Sequence, residues 1–295
     1  MKNKLWLILA VTLLMTACVD MTSGAKEETE QNNDHEKTEE TEKDTVETSK
    51  NKSENNANEE KQIEEKQGNK KKTAEPVYKI DEETSSVVPV NEQGNEKIVL
   101  LTIDDAPDTY AIEMAKTLKD LDAGAIFFVN GHFLDTPEGE EKLKKIHNMG
   151  FEIGNHTYNH AYLPDVSTGK QEKEIVSLND KIEGIIGERP QFFRAPNGAN
   201  TDFTKQVAKD EGMVTMNWTY GYDYFEPYMD AEKLTEAMVT GKGPEVDVSH
   251  SLLNPGANLL MHDREWTAKA LEDIVTGLRD KGYEIADPAL LKTIE

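Results

Sequence analysis

From residue 98 onward the chain alternates short apolar runs with longer amphipathic stretches, and this alternation limits the folds that it can adopt. The apolar runs predict strands buried on both faces, and they lie at residues 98–103, 125–129, 151–154, 191–193, 214–218 and 258–261. The amphipathic stretches predict helices near residues 109–123, 138–149, 170–186, 201–211, 230–241 and 266–281. Strands and helices in this order predict an α/β fold with a parallel sheet, closed or nearly closed into a barrel.

Two local features of this pattern make further predictions. Asp108 or Thr109 is placed to cap the first helix, whose Met114 and Leu118 share one face. Residues 76–96 predict a short hairpin before the first barrel strand.

Polar residues that can carry chemistry follow several of the predicted strands. In chain order these residues are Asp104, Asp105, His156, His160, Arg194, Asp223 and His262. Active sites of such barrels lie at the carboxyl ends of the strands, so we expect these side chains to converge at one end of the sheet.

His156 and His160, together with one carboxylate, predict a three-ligand metal site that keeps open positions for hydrolytic chemistry. Residues four apart on a strand lie about 13 Å apart, so the chain is predicted to turn helical after Gly154. Neighbouring strand residues point to opposite faces, so only one of Asp104 and Asp105 is expected on the ion. Zinc is the expected metal, with cobalt, manganese and nickel as alternatives for an N/O site.

Other classes of protein share parts of this pattern. A His-x3-His spacing alone is more often two solvated helix residues than a metal pair. A metal-binding surface lipoprotein, a non-catalytic sugar-binding module and a non-haem iron oxygenase are therefore the rival interpretations. The acids, arginine and histidine at the strand ends favour the hydrolase.

The N-terminus predicts an export signal at residues 1–17. Lys2 and Lys4 precede an apolar run at residues 5–15, and small residues lead into Cys18. Residues 14–18 resemble a bacterial lipobox, in which the cysteine is lipidated. We therefore expect a lipid anchor on Cys18 and a location at the extracellular face of the cell membrane.

Residues 18–75 are rich in Glu, Lys, Asn, Thr and Gln and predict a disordered charged linker. As a flexible coil it would span about 40 Å and would hold the domain at residues 76–295 away from the membrane. The formal net charge is −24, so nucleic acid is not expected as a partner. Nothing in the sequence demands more than a monomer.

Four motifs resemble those of the polysaccharide deacetylases, the NodB-homology or carbohydrate esterase 4 family. They are Thr-Ile-Asp-Asp-Ala-Pro at residues 102–107, His-Thr-Tyr-Asn-His at 156–160, Arg-Ala-Pro-Asn-Gly at 194–198 and Leu-Met-His at 260–262. The resemblance covers about residues 97–290. It implies a distorted (β/α) barrel and the removal of N-acetyl groups from polymers of N-acetylated amino sugars.

The resemblance also implies a role for each matching residue. It assigns Asp105, His156 and His160 to a divalent metal ion, and Asp104 to the general base. Arg194 resembles the arginine that holds this base, and His262 resembles the general acid.

On the substrate side, the resemblance implies contacts from Pro196, Asn197, Leu260 and Tyr224. The backbone N–H of Asn197 would stabilise the oxyanion, and Leu260 would line a pocket for the acetyl methyl group. Asp223 is expected to hydrogen-bond to Arg194 or His262.

Three positions depart from the family pattern. Two of them are in the first and third motifs, where Ala106 replaces a usual glycine and Asn197 stands where tyrosine is common. The third is in the family's fourth motif, in which the usual Asp-Trp pair appears as Asp223-Tyr224 and Gly221 stands where another acid is common. Taken together, the sequence predicts a lipid-anchored N-deacetylase acting on a cell-wall polysaccharide. Peptidoglycan is the expected substrate, and chitooligosaccharides are the alternative.

Overall fold

The computed structural model describes residues 75–294. The predicted signal at residues 1–17, the lipidation of Cys18 and the linker, apart from its last residue, lie outside the described residues. Within residues 75–294, no helix is both long enough and apolar enough to cross a membrane.

A curled parallel sheet forms the centre of the domain. Its strands are β3 (Ile98–Ala106), β4 (Ile126–Val129), β5 (Glu152–Asn155), β6 (Phe192–Phe193), β7 (Val214–Thr215), β8 (Ala257–His262) and β9 (Glu284–Ile285). The spatial order is β7-β6-β5-β4-β3-β8, and β9 pairs with the start of β3. All of these pairings are parallel, so the predicted α/β fold with a parallel sheet is confirmed, and the sheet curls into a half-barrel.

Six helices connect the strands. They are α1 (Ala111–Asp120), α2 (Pro137–Asn148), α3 (Thr168–Ile186), α4 (Asp202–Asp210), α5 (Ala231–Thr240) and α6 (Glu265–Asp280). Each helix buries one apolar face, as the amphipathic pattern predicts. The side chains of Thr136, Thr201 and Asp230 cap α2, α4 and α5 by accepting a backbone N–H three residues on.

The side chains of strand β3 alternate between the two sides of the sheet. Val99 and Leu101 pack among the helices, whereas Ile98 and Leu100 pack in a separate cluster with residues of the other strands. This alternation places Asp104 on the same side as Ile98 and Leu100, beyond the apolar cluster. The core therefore ends in a carboxylate at the carboxyl end of the strand.

The predicted hairpin is present as β1 (Tyr78–Ile80) and β2 (Val87–Pro89), which pair antiparallel. Tyr78, Ile80 and Val87 are buried in the cluster that contains Ile98 and Leu100. The hairpin thus supplies apolar side chains to the interior of the half-barrel.

The predicted strand at residues 214–218 is shorter than expected, because the chain changes partners there. Val214 and Thr215 pair with β6, and Tyr220 then forms an isolated bridge with Leu259 of β8. The backbone N–H of Thr219 also donates to the carbonyl of Asn258, at 2.8 Å. Residues 214–220 thus form a split strand that joins the two edges of the curled sheet.

The predicted cap of α1 is wrong. The helix begins at Ala111, and neither Asp108 nor Thr109 caps it. Instead, the carboxylate of Asp263, just after β8, accepts the backbone N–H groups of Asp108 and Tyr110, at 2.7 and 2.6 Å. A carboxylate distant in the sequence thus accepts the backbone N–H groups before α1 that a local side chain was predicted to cap.

Candidate active site

A β-bulge at the end of β3 brings two adjacent acids to one place. The pairing of β3 with β4 shifts register between Ile103 and Ala106, and Asp105 has a φ of 60°. Nε2 of His156 consequently lies 3.6 Å from Oδ2 of Asp104 and 3.9 Å from Oδ1 of Asp105. Asp104 and Asp105 were predicted to point to opposite faces of the strand. At the bulge they do not, because both carboxylates face the imidazole of His156.

The segment from His156 to His160 is not helical, contrary to the prediction. Thr157 and His160 have φ values of 68° and 54°, and this left-handed backbone curls the segment into an irregular turn. The two imidazole rings lie 5.0 Å apart between centroids. Two residues with left-handed backbone, and not the predicted helical turn, bring the two imidazole rings close together.

Glu174, which is buried on α3, holds this turn in place. Its carboxylate accepts the backbone N–H of Asn159 at 2.7 Å and the side-chain amide of Asn159 at 2.8 Å. Its backbone carbonyl accepts the N–H of Tyr158 at 2.9 Å. Burial raises the pKa of Glu174, but hydrogen bonds from Lys170 and Asn159 outweigh burial and lower it.

Glu174 is not among the residues predicted from the sequence. The only signal for it is a carboxylate on the buried face of an amphipathic helix, where an acid needs a partner.

One carboxylate and two imidazoles form a cluster suited to a metal ion. A ligand atom of each of Asp105, His156 and His160 lies within 4.8 Å of the others. Nδ1 of His156 contacts the carbonyl of Arg194 at 2.8 Å, which leaves Nε2 to face the carboxylates. Two imidazole nitrogens and one carboxylate oxygen are a donor set that suits zinc and similar divalent ions.

The protonation states of the cluster suit ligation. Burial lowers the pKa of His156, which favours the neutral imidazole that a metal requires. Burial raises the pKa of Asp105, but the nearby histidines and Arg264 outweigh burial and lower it. Asp105 is therefore held as a carboxylate.

Arg194 is fully buried and binds Asp104. Its Nη1 donates to Oδ1 of Asp104 at 2.7 Å and to the hydroxyl of Thr102 at 2.8 Å. Its Nη2 donates to the carbonyl of Asn217 at 2.8 Å. Burial lowers the pKa of Arg194, and the Asp104 carboxylate opposes this effect. One carboxylate oxygen of Asp104 is thus fixed by Arg194, and the other faces His156.

His262, at the end of β8, is paired with Asp223. Nδ1 of His262 lies 2.8 Å from Oδ1 of Asp223, whose Oδ2 accepts the backbone N–H of His262 at 2.6 Å and the hydroxyl of Thr267 at 2.8 Å. Burial lowers the pKa of His262, but the Asp223 carboxylate outweighs burial and raises it to about 9. Of the two partners predicted for Asp223, the structure brings together His262 and not Arg194.

These groups open into a cavity of about 500 Å³. Its wall is formed by Asp104, Asp105, His156, His160, Asn197, Trp218, Asp223, Tyr224, Met229, Leu260, His262, Arg264 and Trp266. Tyr224 and Met229 are exposed at its rim, whereas Leu260 is buried in its wall. A larger groove of about 740 Å³ contains none of these residues in the part of its wall that the structure describes.

The predicted substrate residues are unevenly placed. Asn197 lines the cavity with a left-handed backbone (φ 56°), and Leu260 and Tyr224 line it as well. Pro196 is buried and does not line the cavity. The cavity also contains Met229, Arg264 and Trp266, which are not among the residues predicted from the sequence. The signal for Arg264 and Trp266 was their position just after His262 at a strand end.

Comparison with known proteins gives consistent matches. Residues 91–216 match the family model described as Polysaccharide deacetylase. A peptidoglycan-N-acetylglucosamine deacetylase of Bacillus cereus is 32% identical over 197 residues, which cover 64% of this chain and 85% of that protein. The peptidoglycan-N-acetylmuramic acid deacetylase PdaA of Bacillus subtilis is 27% identical, covering 64% of this chain and 68% of that protein.

Two further matches come from proteins without a named activity. The uncharacterized protein YlxY of Bacillus subtilis is 30% identical over 176 residues, covering 60% of this chain. The match spans only about half of YlxY, 51% of its length. The structure of BA3943, a CE4 family pseudoenzyme from Bacillus anthracis, is similar with a TM-score of 0.57 and 28% identity, covering 66% of this chain and 64% of that one.

Proposed function

The chain belongs to the polysaccharide deacetylase family, and we propose that it is a metal-dependent hydrolase that removes N-acetyl groups from N-acetylated amino sugars of peptidoglycan. The main observation in support of this proposal is that Asp104 and His262 line the same cavity as the cluster of Asp105, His156 and His160. A site for a metal ion, a held carboxylate and a held imidazole together are what amide hydrolysis requires.

Asp105, His156 and His160 would hold the divalent ion. Zinc is proposed first, with cobalt, manganese and nickel as alternatives for the same donors. When bound, such an ion supplies Lewis-acid chemistry, lowering the pKa of water and polarising the acetamide carbonyl.

Asp104 is proposed as the general base. Its Oδ1 is bound to Arg194, while its Oδ2 faces the imidazole of His156 across 3.6 Å. The free oxygen can accept the proton of the attacking water as the oxygen–carbon bond to the acetyl carbonyl forms. The hydrogen bond from Arg194 keeps this carboxylate oriented.

His262 is proposed as the general acid. With a pKa raised to about 9 by Asp223, its imidazole carries a proton at neutral pH. As the carbon–nitrogen bond breaks, the imidazole gives this proton to the leaving nitrogen. The products are acetate and the free amine of the sugar.

The rest of the cavity would position the acetamido group. We propose that the backbone N–H of Asn197 stabilises the oxyanion and that Leu260 packs against the acetyl methyl group. The exposed ring of Tyr224 lies edge-on to His262, with ring centroids 5.7 Å apart, and would contact the sugar.

Peptidoglycan is proposed as the substrate for two reasons. PdaA and the Bacillus cereus relative are by name peptidoglycan deacetylases, although they differ in the sugar that they act on. The proposed anchor at Cys18 and the linker at residues 18–75 would place the domain outside the cell membrane, within reach of the wall. Chitooligosaccharides are the alternative substrate, because the proposed roles address the acetamido group itself.

Acetate release is the decisive measurement. The full chain is incubated with peptidoglycan and with chitooligosaccharides, with added zinc and with a chelator, beside the variant Asp104→Asn. Release that needs the metal and falls sharply in the variant supports the proposal. If the protein binds zinc but releases no acetate from either polymer, the result favours the non-catalytic alternative.

A further inference from the structure

We propose that Arg264 is a positioning residue that orients the carboxylate of Asp105 for the metal ion. This inference rests on the metal site of the proposed function. Nη2 of Arg264 donates to Oδ2 of Asp105 at 2.8 Å. The other oxygen, Oδ1, lies 3.5 Å from Nε2 of His160 and 3.9 Å from Nε2 of His156.

The two oxygens of Asp105 therefore have separate tasks. Oδ2 is occupied by a charge-assisted hydrogen bond, and Oδ1 faces the two imidazole nitrogens. A carboxylate held in this way presents a single oxygen to an ion. Binding through one oxygen keeps coordination positions open for water and for a substrate carbonyl, which a hydrolytic site needs.

Arg264 is itself held by the fold. It is the N-cap residue of α6, and its Nη1 donates to the carbonyl of Asp263 at 3.1 Å. The guanidinium thus links the carboxyl ends of β8 and β3. Asp105 needs such a support because its backbone lies in the left-handed region at a β-bulge, where its orientation is not set by a regular strand.

Arg264 also stands out among the residues of the cavity. Among residues 75–294, it is the only arginine or lysine in a wall that contains Asp104, Asp105 and Asp223. Arg194, the other arginine near the acids, binds Asp104 and not Asp105. Each of the two adjacent acids therefore has its own arginine.

A positive charge near a dication opposes metal binding, so two effects compete. The Arg264 side chain is 38% exposed, and water and salt screen its repulsion. Groups that orient metal ligands typically contribute 10- to 100-fold in metal affinity. We therefore expect orientation to outweigh repulsion.

The test compares Arg264→Met, which removes charge and donors, with Arg264→Lys, which keeps the charge and one point donor. Lys269→Met is the matched control, because Lys269 is an exposed cation of α6 that pairs only with Glu265 among the described residues. Zinc dissociation constants are measured by competition with a chelating dye. The visible absorption of the cobalt-loaded proteins reports coordination number, because four-coordinate cobalt absorbs more strongly than six-coordinate cobalt.

For Arg264→Met we expect zinc binding weakened by about 10- to 100-fold and a weaker cobalt band, as Asp105 becomes free to bind through both oxygens. Arg264→Lys should lie between this variant and the parent, and Lys269→Met should match the parent. Unchanged or tighter zinc binding in Arg264→Met would overturn the inference. Acetate release by the parent protein tests the proposed function separately, so either can fail alone.

Discussion

Nη1 of Arg194 lies 2.7 Å from Oδ1 of Asp104, and both side chains are buried. The pair is the deepest charged contact of the site, and it joins β6 to β3. A buried ion pair contributes little net stability, but breaking it strands a charge in the interior. The cost of a buried unpaired charge can therefore be measured by comparing the removal of one partner with the removal of both.

Arg194→Met should destabilise the domain by about 3–5 kcal/mol, because it leaves the Asp104 carboxylate buried without its partner. Denaturant unfolding of the variant and the parent measures the loss. The double variant Asp104→Asn/Arg194→Met is the control, since it removes both charges. It should be more stable than Arg194→Met alone. Equal stability of the two variants would argue against a stranded charge.

The pairing of His262 with Asp223 predicts a pH-dependent stability. The folded pKa of His262 is raised from 6.5 to about 9, so its stabilisation is fully present below pH 6.5 and is lost as the pH rises through 9. The full effect is at most about 3 kcal/mol. Thermal unfolding of chelator-treated protein should show the parent's advantage over Asp223→Asn shrinking between pH 6 and pH 10. A constant difference across this range would contradict the raised pKa.

Glu174→Gln should weaken zinc binding by about tenfold, because an amide cannot accept both hydrogen bonds from Asn159 that hold the turn between the two histidines. Competition with a chelating dye measures the change. Glu172→Gln is the matched control, because Glu172 is exposed on the same helix. Identical affinities in the two variants would show that the turn keeps its shape without Glu174.

Gly221→Ala should disturb the proposed acetyl pocket beside Leu260. A Cβ at this position would lie 2.4 Å from the carbonyl oxygen of Leu260 and 2.8 Å from its Cβ, so a side chain here would clash with β8. We expect a loss of about 1–3 kcal/mol in stability and a raised KM for the acetylated substrate. Gly184→Ala is the control, since its Cβ would meet nothing within 4 Å and an alanine favours helix α3. Unchanged KM in Gly221→Ala would show that β8 yields without altering the pocket.

The sequence was sufficient to predict the parts of the site that follow from local periodicity. The alternation along β3 correctly places Asp104 near the end of that strand, and the apolar run before His262 correctly places His262 at the end of β8. Both predictions succeed because strand period and burial are local properties. The conformation of the turn after Gly154 was not predictable in this way. Its left-handed residues, Thr157 and His160, are ordinary L-residues, and the turn is held through Asn159 by Glu174 of α3.

Long-range partners explain the remaining omissions. Arg264 is 159 positions from Asp105, and Asp263 is 153 positions from the Tyr110 backbone that it caps. No pattern within one segment predicts which arginine reaches which acid. Spacing along the chain therefore predicted the candidate metal cluster but not the side chains that hold it in place.

Arg194 also stabilises the split strand at residues 214–220. Where the segment leaves β6 for β8, the carbonyl of Asn217 accepts hydrogen bonds from Nη2 of Arg194 and from the amide of Asn258, at 2.8 and 3.0 Å. Side chains there replace the backbone ladder, so the seam of the sheet is closed by the same guanidinium that aims Asp104. A molecule that opens at this seam would lose the hydrogen bonds that hold Asp104, the proposed base, so the rate of acetate release would report local unfolding.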